Sequence, residues 1–184
     1  MLYSFTNLRL PSYSSLKEYE GKGNYAISKY YKFPYSIFYR HKLKMILDIM
    51  EKDKIYHNIL DYGSGPGIFT PALKQHTLFV KSFDINDVLD TRWRYDAVVC
   101  SSFLEFSELP FTLDLISKLL NPGGKLYVGS PMETGLTKLY FKSIGDKNKR
   151  HGHNKIMSEI SKKFRIETYN LWMNLYFALR ASKN

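Results

Sequence analysis

Three glycines in five positions, Gly63-Ser-Gly-Pro-Gly67, follow directly on the short apolar segment Asn58-Ile-Leu-Asp-Tyr62. That junction constrains the fold more than any other stretch. An apolar run of strand length enters a bend built from residues free to adopt unusual backbone angles. The stretch Ile68 to Gln75 then has the composition of a short helix. In open sheets of alternating strands and helices, ligands bind where the carboxyl ends of the strands meet such bends. Glycine also lets the backbone approach a ligand without a Cβ in the way.

The rest of the chain repeats the alternation. Pro34, tolerated in a first helical turn, precedes Ile37, Phe38, Leu43, Ile46, Leu47 and Met50 at helical spacing, which predicts a helix over 35–51. Leu78–Phe83 and Tyr95–Cys100 read as further strands. A helix over Phe111–Leu120 is closed by Asn121-Pro-Gly-Gly124, and Lys125–Gly129 is the next strand. Two more helices, Leu136–Ser143 and Lys155–Lys163, precede two closing strands, Phe164–Tyr169 and Leu175–Ala181. Strands alternating with helices imply a mainly parallel sheet covered on both faces. The 184 residues suit one domain, with 1–54 as a helical lead-in and 55–184 as the core. Tyr13, Tyr19, Tyr25, Tyr30 and Tyr31 in the lead-in are candidates for a lid over the bend or a cover for the sheet.

The charges around the bend select among nucleotide ligands. A dinucleotide fingerprint wants Gly-x-Gly-x-x-Gly, yet the sixth position from Gly63 is Ile68. Asp61, just before the bend, opposes a phosphate but suits a ligand with ammonium and sulfonium groups. Asp84 lies 17 residues beyond Gly67, at the end of the next strand, where a carboxylate can accept both hydrogen bonds of a ribose diol. This pattern favours S-adenosylmethionine over NAD.

Four segments in order resemble the class I S-adenosylmethionine-dependent methyltransferase family. They are Asp61-Tyr-Gly-Ser-Gly-Pro-Gly67, Phe83-Asp-Ile-Asn86, Tyr95-Asp-Ala-Val-Val-Cys-Ser-Ser-Phe-Leu-Glu-Phe106 and Leu119-Leu-Asn-Pro-Gly-Gly-Lys-Leu-Tyr-Val128. The resemblance implies a Rossmann-like α/β fold with an antiparallel strand near the C-terminus. It implies a cofactor pocket of Asp61, Tyr62, Gly63, Ser64, Gly65, Gly67, Asp84 and Ile85, with Ser101 and Ser102 toward the methionyl group or substrate. The product would be S-adenosylhomocysteine. Glu105 stands where the family often ends this segment in Leu-Glu-His, but Phe106 replaces the histidine, and His153 falls near a position where small-molecule members carry one. Glu105 and His153 are the catalytic candidates. General-base chemistry is needed only if the acceptor must lose a proton.

One departure is built in. The family fits a further strand and helix between its second-strand acid and its fourth strand, but only 12 positions separate Asp84 from Asp96. A parallel crossover usually takes a dozen or more residues. The sheet is therefore expected to be shortened there, with residues 86–94 running straight to the next strand. Extended, eight or nine residues reach roughly 26–32 Å, enough to pass one strand. Asp87, Leu89 or Trp93 then stands in for the lost adenine contact, although Trp93 fits a packing role better.

Composition bounds the partners. The single cysteine, Cys100, lies in an apolar strand and reads as a buried thiol. No apolar run is long enough to span a bilayer, and the N-terminus lacks the apolar stretch of a signal peptide, so a cytoplasmic setting is expected. No metal cluster is expected; Asp114 and Asp146 stand alone in the sequence. The net charge of +10 is scattered, densest at Lys138, Lys142, Lys147, Lys149 and Arg150. A small-molecule acceptor is the first reading, because no added recognition segment and no Asp/Asn-Pro-Pro-aromatic motif occur. Two alternatives stay open: an RNA or protein methyltransferase using the basic surface, or an inactive methyltransferase-like binding subunit.

Overall fold

The computed structural model describes residues 8–20, 27–50, 55–84, 87–143 and 149–183. Six strands form one sheet in the order β2-β1-β3-β4-β6-β5. They are β1 (Tyr56–Tyr62), β2 (Thr77–Phe83), β3 (Tyr95–Ser101), β4 (Leu120–Pro131), β5 (Phe164–Trp172) and β6 (Tyr176–Lys183). β1, β2, β3 and β4 run parallel, whereas β6 is antiparallel to both β4 and β5. The helices are α1 (Tyr13–Leu16), α2 (Tyr35–Ile49), α3 (Thr70–Leu73), α4 (Leu109–Leu119), α5 (Gly135–Ser143) and α6 (His153–Ser161).

Alternation along the strands divides the core in two. Ile59, Ala97, Val99, Tyr127, Tyr176 and Ala178 face one side, against Leu43, Ile46 and Met50 of the α2 region and Ile27 before it. Their neighbours Leu60, Val98, Cys100, Leu126, Val128, Phe177 and Leu179 face the other, against Leu109, Leu113 and Ile116 of α4 and Ile156 and Ile160 of α6. This period of two, with helices on both sides, is what a parallel sheet demands of its sequence. Cys100 is fully buried, and burial pushes its thiol well above the usual range.

The expected shortening is present. β2 is the edge of the sheet, and the chain passes from it across β1 to β3 with no strand or helix among the described residues 87–94. Leu89 packs against the α4–α6 side. Trp93 does not pack: it is 62 % exposed, which corrects the expectation of a core role. β2 also departs from the buried pattern, since Leu78 and Phe79 are exposed on the edge strand of the described sheet. The helix expected over Ile68–Gln75 shrinks to four residues because the bend runs on to Phe69. The Asn121–Gly124 turn is taken into β4, whose pairing with β3 shifts register between Tyr95 and Ala97. α2 begins right after Pro34, but its buried face is Tyr39, Lys42, Leu43, Ile46 and Ile49, with Ile37 exposed.

Asp96 clips the amino-terminal ends of three strands together. Its carboxylate accepts from the His57 amide at 2.9 Å and the Asn121 side chain at 2.8 Å. Its own amide donates to the Asn58 side-chain oxygen at 2.9 Å. Asp96→Ala is expected to cost about 1–3 kcal/mol in urea denaturation, the range for losing charged hydrogen bonds to partly buried donors. Ligand binding at the opposite ends of the strands is expected to be unchanged, which calorimetry on the same variant checks.

Candidate active site

The bend at the end of β1 uses its glycines as the sequence suggests: Gly63, Gly65 and Gly67 all have positive φ, at 76°, 54° and 76°. The amides of Gly63 and Ser64 both donate to the Phe83 carbonyl, at 2.8 and 3.0 Å. These bonds tie the bend to the last residue of β2, immediately before Asp84. Asp61 pairs in register with Ser82, and Tyr62 with Phe83. The bend and the acid that ends the neighbouring strand are therefore side by side. The ring of Phe103 fills the space against Gly63, where an added Cβ would lie 2.2 Å from Cδ2. Phe103 also meets Tyr62, whose far side carries Phe83, so three rings wall the bend on the α4–α6 side.

Asp61 is 1 % exposed. One carboxylate oxygen accepts from the Thr70 hydroxyl at 2.7 Å, and that hydroxyl lies 3.0 Å from Ser82 Oγ. No cation among the described residues pairs with it. Burial pushes its carboxyl up to about 6; the Thr70 bond opposes the rise and the charge of Asp84 adds to it. A dry carboxylate with only neutral partners is arranged for a cationic ligand. Asp84 is half-buried; its amide donates to the Asp87 carboxylate at 2.7 Å, and its carbonyl accepts from the Asp87 amide at 2.9 Å. Asp87 thus shapes the turn after β2. Ile85 lies outside the described residues.

A second polar group gathers at the tip of β3, next to Ser101. Ser102 has a positive φ of 56°, a conformation that costs a non-glycine residue about 1–2 kcal/mol. It is held there by its amide, which donates to the Gly129 carbonyl at 2.7 Å, and by its hydroxyl, which accepts from Lys42 Nζ at 3.0 Å. The Tyr176 hydroxyl stands 3.5 Å from the same oxygen. Glu105 is 2 % exposed and accepts from Ser130 Oγ at 3.0 Å. Burial pushes the Glu105 carboxyl up, against its backbone hydrogen bond and the charges of Lys42 and Arg150. The Arg150 guanidinium lies over Phe141 at 3.8 Å, and the amide of His151 donates to the Glu105 carbonyl at 2.7 Å.

His153 makes its hydrogen bonds to other residues. It opens α6, with one ring nitrogen 3.2 Å from the Asn154 side chain and the other 3.0 Å from the Tyr169 hydroxyl. Its ring packs on Phe177. The basic cluster is also partly spent: Lys138 pairs with Glu133 at 3.1 Å and Arg150 covers aromatic rings. Lys147 lies outside the described residues, as does Tyr25 of the tyrosine-rich lead-in. Of the other lead-in tyrosines, Tyr13, Tyr30 and Tyr31 pack on the α2 side of the core, with the Tyr31 hydroxyl donating to the Pro11 carbonyl at 2.7 Å. Burial and the charges of Glu105 and Asp61 raise the Tyr30 hydroxyl well above its usual range, and its ring lies 5.3 Å from the Lys42 ammonium nitrogen.

Sequence reasoning missed Lys42, Thr70, Phe103, Ser130 and Tyr176. Only Lys42 left a readable signal. It falls three residues after Tyr39 and four before Ile46, so a helix over 35–51 puts a lysine inside its own apolar stripe. Ser130 and Tyr176 are brought to β3 by sheet order, which no local pattern encodes.

Comparison with known proteins agrees with this geometry. The sequence profile of a family described as "Methyltransferase domain" matches residues 35–171. No curated protein matches the chain. Among solved structures, the chain resembles the N-methyltransferase NodS from Bradyrhizobium japonicum WM9 in complex with S-adenosylhomocysteine. The TM-score is 0.68 at 16 % identity, covering 93 % of this chain and 97 % of that one. An O-methyltransferase family protein from Burkholderia thailandensis gives 0.60 at 12 % identity, covering 80 % of this chain and 56 % of that one. The geranyl diphosphate C-methyltransferase of Streptomyces coelicolor A3(2) gives 0.58 at 9 % identity, covering 78 % and 76 %. At these identities the likeness speaks for the fold, and the profile, spanning most of the chain from α2 to β5, speaks for the family. The chain belongs to the class I S-adenosylmethionine-dependent methyltransferases.

Proposed function

We propose that this methyltransferase acts on a small-molecule acceptor, with the cofactor held between the β1 bend and the end of β2. The observation that carries the reading is Asp61: a buried carboxylate without a cationic partner among the described residues, at the foot of a glycine bend tied to the residue before Asp84. These residues fit S-adenosylmethionine, which supplies a methyl group on a sulfonium centre when bound. Asp61 offers negative charge to the cationic methionyl end, and Asp84 offers two acceptors to the ribose diol. Tyr62, Gly63, Ser64, Gly65, Gly67 and Ile85 form the rest of the proposed pocket, and Ser101 and Ser102 its edge toward the acceptor.

Positioning and electrostatics are enough for methyl transfer. Glu105 is proposed as a positioning residue, since its carboxylate is already taken by Ser130. His153 is proposed to anchor the start of α6 against Tyr169 and Phe177. The lead-in, through Tyr30, is proposed to cover the pocket. The acceptor atom stays open: the neighbours named above are described as N-, O- and C-methyltransferases on one fold. Among the described residues no helix is long and apolar enough to cross a membrane.

Calorimetry with S-adenosylhomocysteine tests the reading. The purified chain is expected to bind it saturably, and Asp84→Ala to bind about 10- to 100-fold more weakly, the roughly 1.4–2.7 kcal/mol that hydrogen bonds to a half-buried, solvent-screened carboxylate supply. Absence of binding at millimolar ligand ends the proposal.

A further inference from the structure

Lys42 is 6 % exposed, and its only hydrogen-bond partner among the described residues is the Ser102 hydroxyl at 3.0 Å. The rings of Tyr39 and Tyr30 cover it, 4.7 and 5.3 Å from the ammonium nitrogen to their centres. No carboxylate of the described residues lies within ion-pair distance. An ammonium carries three donors, and a buried charge is costly unless it is paired or fully hydrogen-bonded. Glu105 attracts it from farther off, but that carboxylate is engaged by Ser130, and Arg150 brings a second positive charge to the same surroundings. Burial accordingly pushes the ammonium below its usual range, against the pull of Glu105.

The location says which ligand completes the pair. Asp61, Asp84 and the glycine bend occupy β1 and β2. Lys42 works on β3 and β6, through Ser102 and the neighbouring Tyr176, on the opposite side of β1 from β2. The aromatic residues around it come from the lead-in, proposed above to cover the pocket, and from α2.

We infer that Lys42 recognises the acceptor, by pairing with a carboxylate or kindred oxyanion that the acceptor presents beside the packed rings of Tyr30 and Tyr39. The inference rests on the methyl-transfer reading and adds to it the acceptor's class: a small organic acid. The oxyanion is a recognition group, and the methylated atom is any nucleophile it holds beside Ser102. The strained Ser102 backbone keeps the hydroxyl under the ammonium, so the cation is aimed before the ligand arrives.

The test uses the full chain saturated with S-adenosylhomocysteine. Monocarboxylates (acetate, phenylacetate, decanoate) and their primary amides are titrated by calorimetry into wild type, Lys42→Met and Lys42→Arg. At least one acid is expected to bind the wild type about tenfold or more tighter than its amide, as a charge-assisted hydrogen bond predicts. The arginine variant is expected to keep that preference and the methionine variant to lose it, with affinity for S-adenosylhomocysteine retained and the fold intact by circular dichroism. Three results overturn the inference: no acid preferred by the wild type, a preference that survives in Lys42→Met, or a methionine variant that is folded but no longer binds S-adenosylhomocysteine. The last identifies the cofactor's own carboxylate as the partner. Should Lys42→Met fail to fold, the acid–amide comparison in the wild type and in Lys42→Arg decides alone. Failure of the wild type to bind S-adenosylhomocysteine, measured before any acid is added, strikes the methyl-transfer reading instead.

Discussion

Gly63→Ala is expected to lower the unfolding free energy by about 2–5 kcal/mol and to weaken S-adenosylhomocysteine binding at least tenfold. Two penalties add. At φ 76° any residue with a Cβ sits in the left-handed region, costing about 1–2 kcal/mol. The new methyl would also lie 2.2 Å from Phe103 Cδ2 and 2.6 Å from its Cβ, so the ring must move, and overpacking of this kind costs about 1–3 kcal/mol. Phe103 in turn packs on Tyr62, so the disturbance spreads into the wall of the bend. Urea denaturation measures the first effect and calorimetry the second. Gly135→Ala is the control: an added methyl there meets nothing within 4 Å, and stability is expected to hold or rise slightly. Equal losses at both positions would contradict the role given to the Gly63 turn.

Asp61→Asn is expected to stabilise the ligand-free protein at neutral pH while removing most of its cofactor affinity. The sign follows from burial. Asp61 ionises at about 6 in the folded chain, above its ordinary value of 3.8. Below pH 3.8 it is protonated in both states and contributes nothing. As pH rises, the unfolded chain sheds the proton first, and stability is lost up to pH 6, above which the loss levels off near about 3 kcal/mol for a wholly buried group. Asparagine is neutral and avoids this cost, but it weakens the bond from Thr70, leaving a net gain of about 1–2 kcal/mol at pH 8. The gain should shrink toward pH 4. Glu105, also raised by burial, is present in both proteins and cancels from the difference. Affinity for S-adenosylmethionine at pH 8 should fall about a hundredfold, as when one partner of a buried charge pair is removed. Wild-type affinity should weaken as pH drops below 6, whereas that of the variant should stay flat. Denaturation and calorimetry from pH 4 to 8 check both curves, and a variant that is less stable than wild type at pH 8 would refute the account.

The parts of this fold that could be read from the chain are those written locally. The Gly63–Gly67 bend, the strand before it, the acid at 84 and the short run to Asp96 are all contiguous patterns, and a reach of nine residues already limits what can lie between β2 and β3. The antiparallel close came with the family resemblance, and the short gap between the strand-like runs 164–169 and 175–181 agrees with it, being too short for a crossover. What escaped depends on through-space neighbours. Trp93 looked like a packing residue because tryptophan usually is, but it is largely exposed. Ser130 meets Glu105, and Tyr176 approaches Ser102, only because β3, β4 and β6 lie side by side.

The abbreviated sheet has a colloidal consequence. β2 is the edge strand of the described sheet and carries exposed Leu78 and Phe79, with Thr77 Oγ1 taking up the Phe79 amide and carbonyl; an edge strand is the kind of margin along which copies of a protein zip together. Lys81 sits on that strand, and the molecule as a whole carries ten excess positive charges. Mutual repulsion is expected to keep these margins apart, and dissolved salt weakens that protection by screening it.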